Sequence, residues 1–349
     1  MASVIQLISA NVPVPERTGP AKAEGVTTKV ETYLVGLQPR TEELISGTRD
    51  WDRKRIGDEE LDELRNAAAA RDFSLQTRLN FNFVSDPMFY WQDLIRPFID
   101  SLEGLDIGPQ LTRWFDNNTF YRKPRINAYP NILQRKLLKY YFEHFWDFGK
   151  KAKVIIPAPY CLYCASDDNY FPDRRSGVLS FAQEMERVAL LLEEKGIGQI
   201  EFLEPFLFFR EPEQSDIELA IDAFNLTTQR LKCEVLLHFP FANLSGHFRE
   251  ILDFNASVIG IDFFSTSLAD ITDFDTKKGL AIGCIDGRNS LLEDIDWIQS
   301  FVSSVVDRLG DLKHLAVVPN CDLEFLPRSI AEEKMNVMSE VKKKVESGV

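Results

Sequence analysis

Short runs of β-branched and other apolar residues recur along the chain at 29–35, 75–84, 153–156, 200–203, 233–237, 258–261, 280–285 and 315–318. Between many of these runs, apolar residues return at helical spacing, at 132–146, 178–194, 217–231, 291–309 and 330–345. Strands that read as unbroken apolar runs are buried on both faces, which is the property of a parallel sheet flanked by helices. Eight such units predict closure into a single (β/α)₈ TIM barrel. An open doubly wound sheet is the alternative, but it lacks support from any Gly-rich loop between a strand and a helix.

The segment 1–26 carries Pro13, Pro15, Gly19, Pro20 and Gly25 among few large apolar residues, so a flexible N-terminal arm is expected there and the barrel over 27–349. Residues 97–130 form an insertion rich in aromatics and turn formers, of the length that usually covers a site.

At 349 residues and 44% hydrophobic content the chain can bury a large core without any stretch long enough to cross a bilayer. The opening residues have no basic segment followed by a sustained apolar core, so no secretory signal is expected, and the five cysteines suit reduced thiols in the cytoplasm. A net charge of −14 argues against nucleic acid as a partner, and no membrane association is expected.

In a barrel, functional groups gather where the strands end at their carboxyl termini. Just past the apolar runs lie Asp86, Cys161 and Cys164, Glu204, His238, Asp262, Asp286 with Arg288, and Cys321. Turns also favour polar residues, so the bland reading is a set of turn formers and buried structural groups. Cys161 and Cys164 are read as two unrelated packed thiols.

Several segments, in order, resemble the catalytic half of the cobalamin-independent methionine synthases. Val35-Gly36-Leu37-Gln38-Pro39-Arg40 is similar to that family's entry motif, and Ser85-Asp86-Pro87-Met88-Phe89 resembles its Asp-Gly-Glu-Phe turn. Leu203-Glu204-Pro205, Leu236-Leu237-His238-Phe239-Pro240, Val258-Ile259-Gly260-Ile261-Asp262 and Val317-Val318-Pro319-Asn320-Cys321-Asp322-Leu323 resemble further strand ends of the family.

The resemblance implies a methyltransferase that moves a methyl group to a thiol, homocysteine or a relative, with zinc holding the thiolate. His238, Asp262 and Cys321 are the implied metal ligands, and Pro240 replaces a fourth. Asp286 and Arg288 are the implied catalytic pair, although an arginine cannot be the proton donor that the family's histidine is suggested to be. Gly36, Asp86 and Glu204 are the implied substrate contacts, while Leu37, Met88 and Leu203 stand where the family has polar groups. Arg113 and Arg122, in the aromatic insertion, are expected to grip an anionic substrate group. The methyl donor is left open, with a corrinoid carrier or second-subunit partner as one option. A metal-free barrel enzyme acting on another small molecule, or a non-catalytic paralogue that binds or regulates a synthase, is the alternative.

Overall fold

The computed structural model describes residues 29–347 except 272, 273, 275, 276, 311 and 313. The expected arm at 1–26 lies outside the described residues. The strands are β1 (Glu31–Thr32), β2 (Val84–Ser85), β3 (Leu102–Arg113), β4 (Phe120–Ile132), β5 (Ala152–Pro157), β6 (Asp167–Asp168), β7 (Gln199–Leu203), β8 (Glu234–Phe239), β9 (Val258–Asp262), β10 (Gly279–Ile285) and β11 (Leu315–Pro319).

Eight of them form one parallel sheet in the order β1-β11-β10-β9-β8-β7-β5-β2. The ends of that order meet across β1 and β2, where Asn82 takes the place of a full ladder. Its backbone N–H donates to the Thr32 carbonyl at 2.9 Å, and its Oδ1 accepts from the Thr32 N–H at 3.1 Å. The sheet is thereby closed into the expected (β/α)₈ barrel.

Alternate residues of each strand face outward under the helices. Phe202 of β7 meets Phe224 with ring centres 5.2 Å apart, and Phe239 of β8 meets Phe254 at 5.8 Å. The helices begin where the sequence supplies caps: Asp173 accepts from Ser176 N–H before helix Arg174–Glu193, and Asp294 accepts from Trp297 N–H before helix Ile295–Leu309.

Two expected elements differ. The run at 75–84 opens as the end of helix Asp58–Arg78, whose alanine-rich middle extends it, then passes through a turn, and only Val84–Ser85 pairs as a strand. The helix expected over 132–146 is broken into short turns, Gln134–Leu137, Leu138–Tyr140 and Glu143–Lys151. Tertiary partners claim its backbone: Tyr140 carbonyl accepts from the Trp91 indole, and Phe142 N–H donates to the Asp86 carboxylate. The insertion is a long antiparallel hairpin, β3 and β4, joined on one side by β6.

Candidate functional site

The carboxyl ends of the strands meet in a rim of buried acids. Asp86, after β2, accepts from Met88 N–H at 2.7 Å and Phe142 N–H at 3.0 Å, and burial pushes its pKa up to about 7. Glu204, after β7, accepts from Phe206 and Leu207 N–H through Oε1, at 3.1 and 3.2 Å. Its Oε2 is buried without a hydrogen-bond partner among the described residues, and burial raises its pKa to about 8 although the Cys161 amide nearby opposes the rise.

Gly36 sits with φ +64°, and a side chain there would meet the Asp322 Oδ1 at 1.8 Å. That close approach lets Leu37 N–H donate to the same oxygen at 2.7 Å. Gly36 therefore places the entry loop against β11 and its carboxylate. Asp322 itself is shifted upward by burial.

His238, Asp262 and Cys321 lie at the ends of β8, β9 and β11, and each has contacts of its own there. The His238 Nε2 lies 3.0 Å from the Asn320 carbonyl, a pure acceptor, so this nitrogen carries a proton. The other ring nitrogen lies 3.3 Å from Glu201 Oε1. Asp262 accepts from Asn320 Nδ2 and Phe264 N–H on one oxygen, at 3.1 and 2.9 Å, and from Phe241 N–H and the Ser265 hydroxyl on the other, both at 3.1 Å. The Cys321 thiol is fully buried, its sulfur is 3.7 Å from the Asp322 carbonyl, and burial holds its pKa well above the ordinary thiol range.

A zinc ligand needs a free nitrogen lone pair, an available carboxylate oxygen or a thiolate. The one ring nitrogen of His238 without a hydrogen bond, Nδ1, is turned toward Glu201, each Asp262 oxygen already accepts two hydrogen bonds, and among the described residues no group of three or more His, Cys, Asp and Glu is placed to hold a metal ion. The residues present do not fit the zinc set that the resemblance implies.

Below the rim, charge continues into the lumen. Lys153 of β5 donates to Glu201 Oε2 and to the Leu34 carbonyl, both at 2.5 Å, and lies 4.1 Å from the centre of the Tyr33 ring. Burial works to raise the Glu201 pKa, but Lys153 and His238 together hold it below the usual carboxylate range. Gly260 leaves room for this chain, since a Cβ there would stand 2.4 Å from the His238 Nδ1.

Arg288 stays at the rim. Its guanidinium lies 3.7 Å from both Asp286 Oδ1 and Asp262 Oδ2, and 5.6 Å above the Phe241 ring. Asp286 in turn accepts from the Arg288 N–H at 3.0 Å. The two arginines of the insertion do not join them. Arg113 donates to the Asn117 and Asp116 carbonyls of its own turn. Arg122 pairs across the hairpin with Leu111, on the face opposite buried Tyr121, and donates to the Pro109 carbonyl at 3.3 Å. Strand alternation points its side chain away from the barrel.

What the insertion brings to the mouth is aromatic. Phe115 at the hairpin tip packs on Phe206, Phe209 and Phe241 with ring centres 4.9, 4.8 and 5.2 Å away, and Trp114 meets Phe206 at 5.8 Å. Phe241 reaches Phe325 at 6.3 Å, so the stack spans the rim from β7 to β11. Lys153, Glu201 and Asn320 are residues the sequence reading did not single out. The first two interrupt apolar runs in β5 and β7, a signal that was available.

An eight-stranded parallel barrel with buried acids around one end is the class of molecule that these features define. A sequence model described as "Cobalamin-independent synthase, N-terminal domain" matches residues 107–310, more than half the chain, and the protein belongs to that family. A methionine synthase of Sulfolobus acidocaldarius is 23% identical over 315 residues, covering 88% of this chain and 90% of the relative. A methionine synthase of Pyrococcus furiosus is 28% identical over 189 residues, 52% of this chain and 54% of that one. Among solved structures, a B12-independent methionine synthase from Shewanella sp. W3-18-1, in complex with selenomethionine, superposes with a TM-score of 0.71 at 17% identity, covering 93% of this chain and 99% of the other. The matching model is that of the family's N-terminal domain, whereas the motif correspondences were drawn to its catalytic half. No helix of the described residues is long and apolar enough to cross a membrane.

Proposed function

We propose that this chain transfers a methyl group to a small thiol, homocysteine or a close relative, at the carboxyl-end rim of the barrel, with Glu204 taking the thiol proton. Membership in a family whose relatives carry the name methionine synthase supports methyl transfer. The observation that carries the site is the Glu204 Oε2, buried and without a hydrogen-bond partner among the described residues. A carboxyl raised to about 8 has nearly the proton affinity of a thiol, about 8.5, so its ionised form, which gains population as pH rises toward 8, can take that proton at little cost. The resulting thiolate sulfur attacks the methyl carbon, and the donor leaves with the electron pair of its former bond to carbon. Arg288, facing Asp286 and Asp262, would hold an anionic group of substrate or donor. No step is routed through zinc.

The test is methionine formation, followed by mass spectrometry, from homocysteine with methylcobalamin or 5-methyltetrahydrofolate as donor. Product is expected from one of them, and Glu204→Gln should slow it by about 10²-fold or more while the fold survives. Absence of product with either donor counts against the proposal. It would favour a second reading, a non-catalytic relative that binds or regulates a synthase, which the filling of the mouth by Phe115 supports.

A further inference from the structure

Asn320 is fully buried at the end of β11, and every polar group it owns is used. Its backbone N–H donates to the Ile285 carbonyl at 2.9 Å, and its carbonyl faces the His238 Nε2 at 3.0 Å. Its side-chain Nδ2 donates to Asp262 Oδ1 at 3.1 Å, and its Oδ1 accepts from Gly287 N–H at 2.8 Å. One residue thus joins the ends of β8, β9, β10 and β11. Two of its partners, His238 and Asp262, are residues the family resemblance implies as metal ligands.

We propose that Asn320 cross-links the rim in this chain as a metal ion would, so that the rim is assembled by an amide and is closed to zinc. The directions of the bonds argue for it. A metal accepts lone pairs, yet the Nε2 of His238 bears a proton aimed at a carbonyl, and Asp262 Oδ1 already receives two N–H groups. A zinc ion could reach these two atoms only by displacing the Asn320 carbonyl and Nδ2, which would then be buried unpaired. This holds whichever reaction the rim performs.

The experiment uses the full chain purified without chelators. Its metal content is measured, and its melting temperature is recorded alone, with EDTA and with added zinc. The expected result is no stoichiometric zinc and a melting temperature that neither EDTA nor zinc moves. Asn320→Ala should melt lower by roughly 5 °C or more, having lost two side-chain bonds at a site that stays buried. Asn320→Asp keeps the shape and the acceptor for Gly287 but loses the donor to Asp262, so it should melt below the wild type as well. Stoichiometric zinc in the wild type, or a fall in its melting temperature with EDTA, overturns the proposal. So does an unchanged melting temperature in both variants. If neither variant folds, the metal and chelator measurements on the wild type still decide.

Discussion

Phe115 and Phe241 stack at 5.2 Å across the barrel mouth, and both hold backbones with positive φ, +48° and +64°. Left-handed backbone at a bulky residue costs on the order of 1 kcal/mol or more, so the tip keeps this shape because the rim contacts repay it. Phe115→Ala should destabilise the protein by about 1–3 kcal/mol in urea unfolding and speed tryptic cleavage at Arg113 and Arg122. Phe115→Gly should lose less than the alanine variant, because glycine relieves the backbone. Equal losses, or cleavage at the wild-type rate, would show that the tip is not held by the stack.

Folded Asp86 and Glu204 bind protons more tightly than they would in the unfolded chain, with pKa values raised to about 7 and about 8. Between the unfolded values and these, the folded state carries the extra protons, so stability falls as pH rises. The melting temperature should decline from about pH 5 to about pH 8, each group contributing at most about 1.4 kcal/mol per pH unit. Glu204→Gln should flatten the upper part of that decline. A melting temperature that climbs steadily to pH 8 would contradict the assignment.

Lys153 and Glu201 form an ion pair with no exposure of either side chain. Removing one partner strands the other, so Lys153→Met should cost on the order of 3–5 kcal/mol in chemical denaturation. Adding Glu201→Gln should restore part of the loss, since the stranded carboxylate is then gone. A double variant no better than the single one would mean that the lysine matters through packing alone.

Gly260→Ala tests the close approach of β9 to the imidazole of β8. The added methyl would stand 2.4 Å from His238 Nδ1 and must push the ring off its contacts. A loss of about 1–3 kcal/mol is expected. The NMR signals of the His238 ring should shift with it, and an unchanged ring spectrum would refute the contact.

The barrel was legible because its strands are buried on both faces, and residues 258–261 or 315–318 therefore read as unbroken apolar runs. The hairpin was not. Gly104, Gly108 and Pro109 break β3, and its exposed face mixes Glu103, Asp106 and Leu111, so it reads as a loop. At the rim, Asp86, Glu204, His238 and Asp262 were found because each closes or follows an apolar run. Their partners were hidden, since pairing across strands leaves no trace in linear order. Asn320 stands beside Cys321, and an amide after a strand looks like any turn former. Arg113 and Arg122 were misplaced for a related reason: composition gives a segment's chemistry but not the face on which a side chain emerges.

Asn82 gives the ring a clasp. Around most of the barrel, neighbouring strands share a run of backbone bonds, but β1 and β2 are joined through this asparagine, whose Oδ1 also accepts from Lys342 at 2.7 Å. The last helix, Arg328–Ser347, thereby reaches back to fasten the first strand. Breathing motions should start at this joint, and shortening the C-terminal helix should loosen the opposite end of the polypeptide before it disturbs the middle.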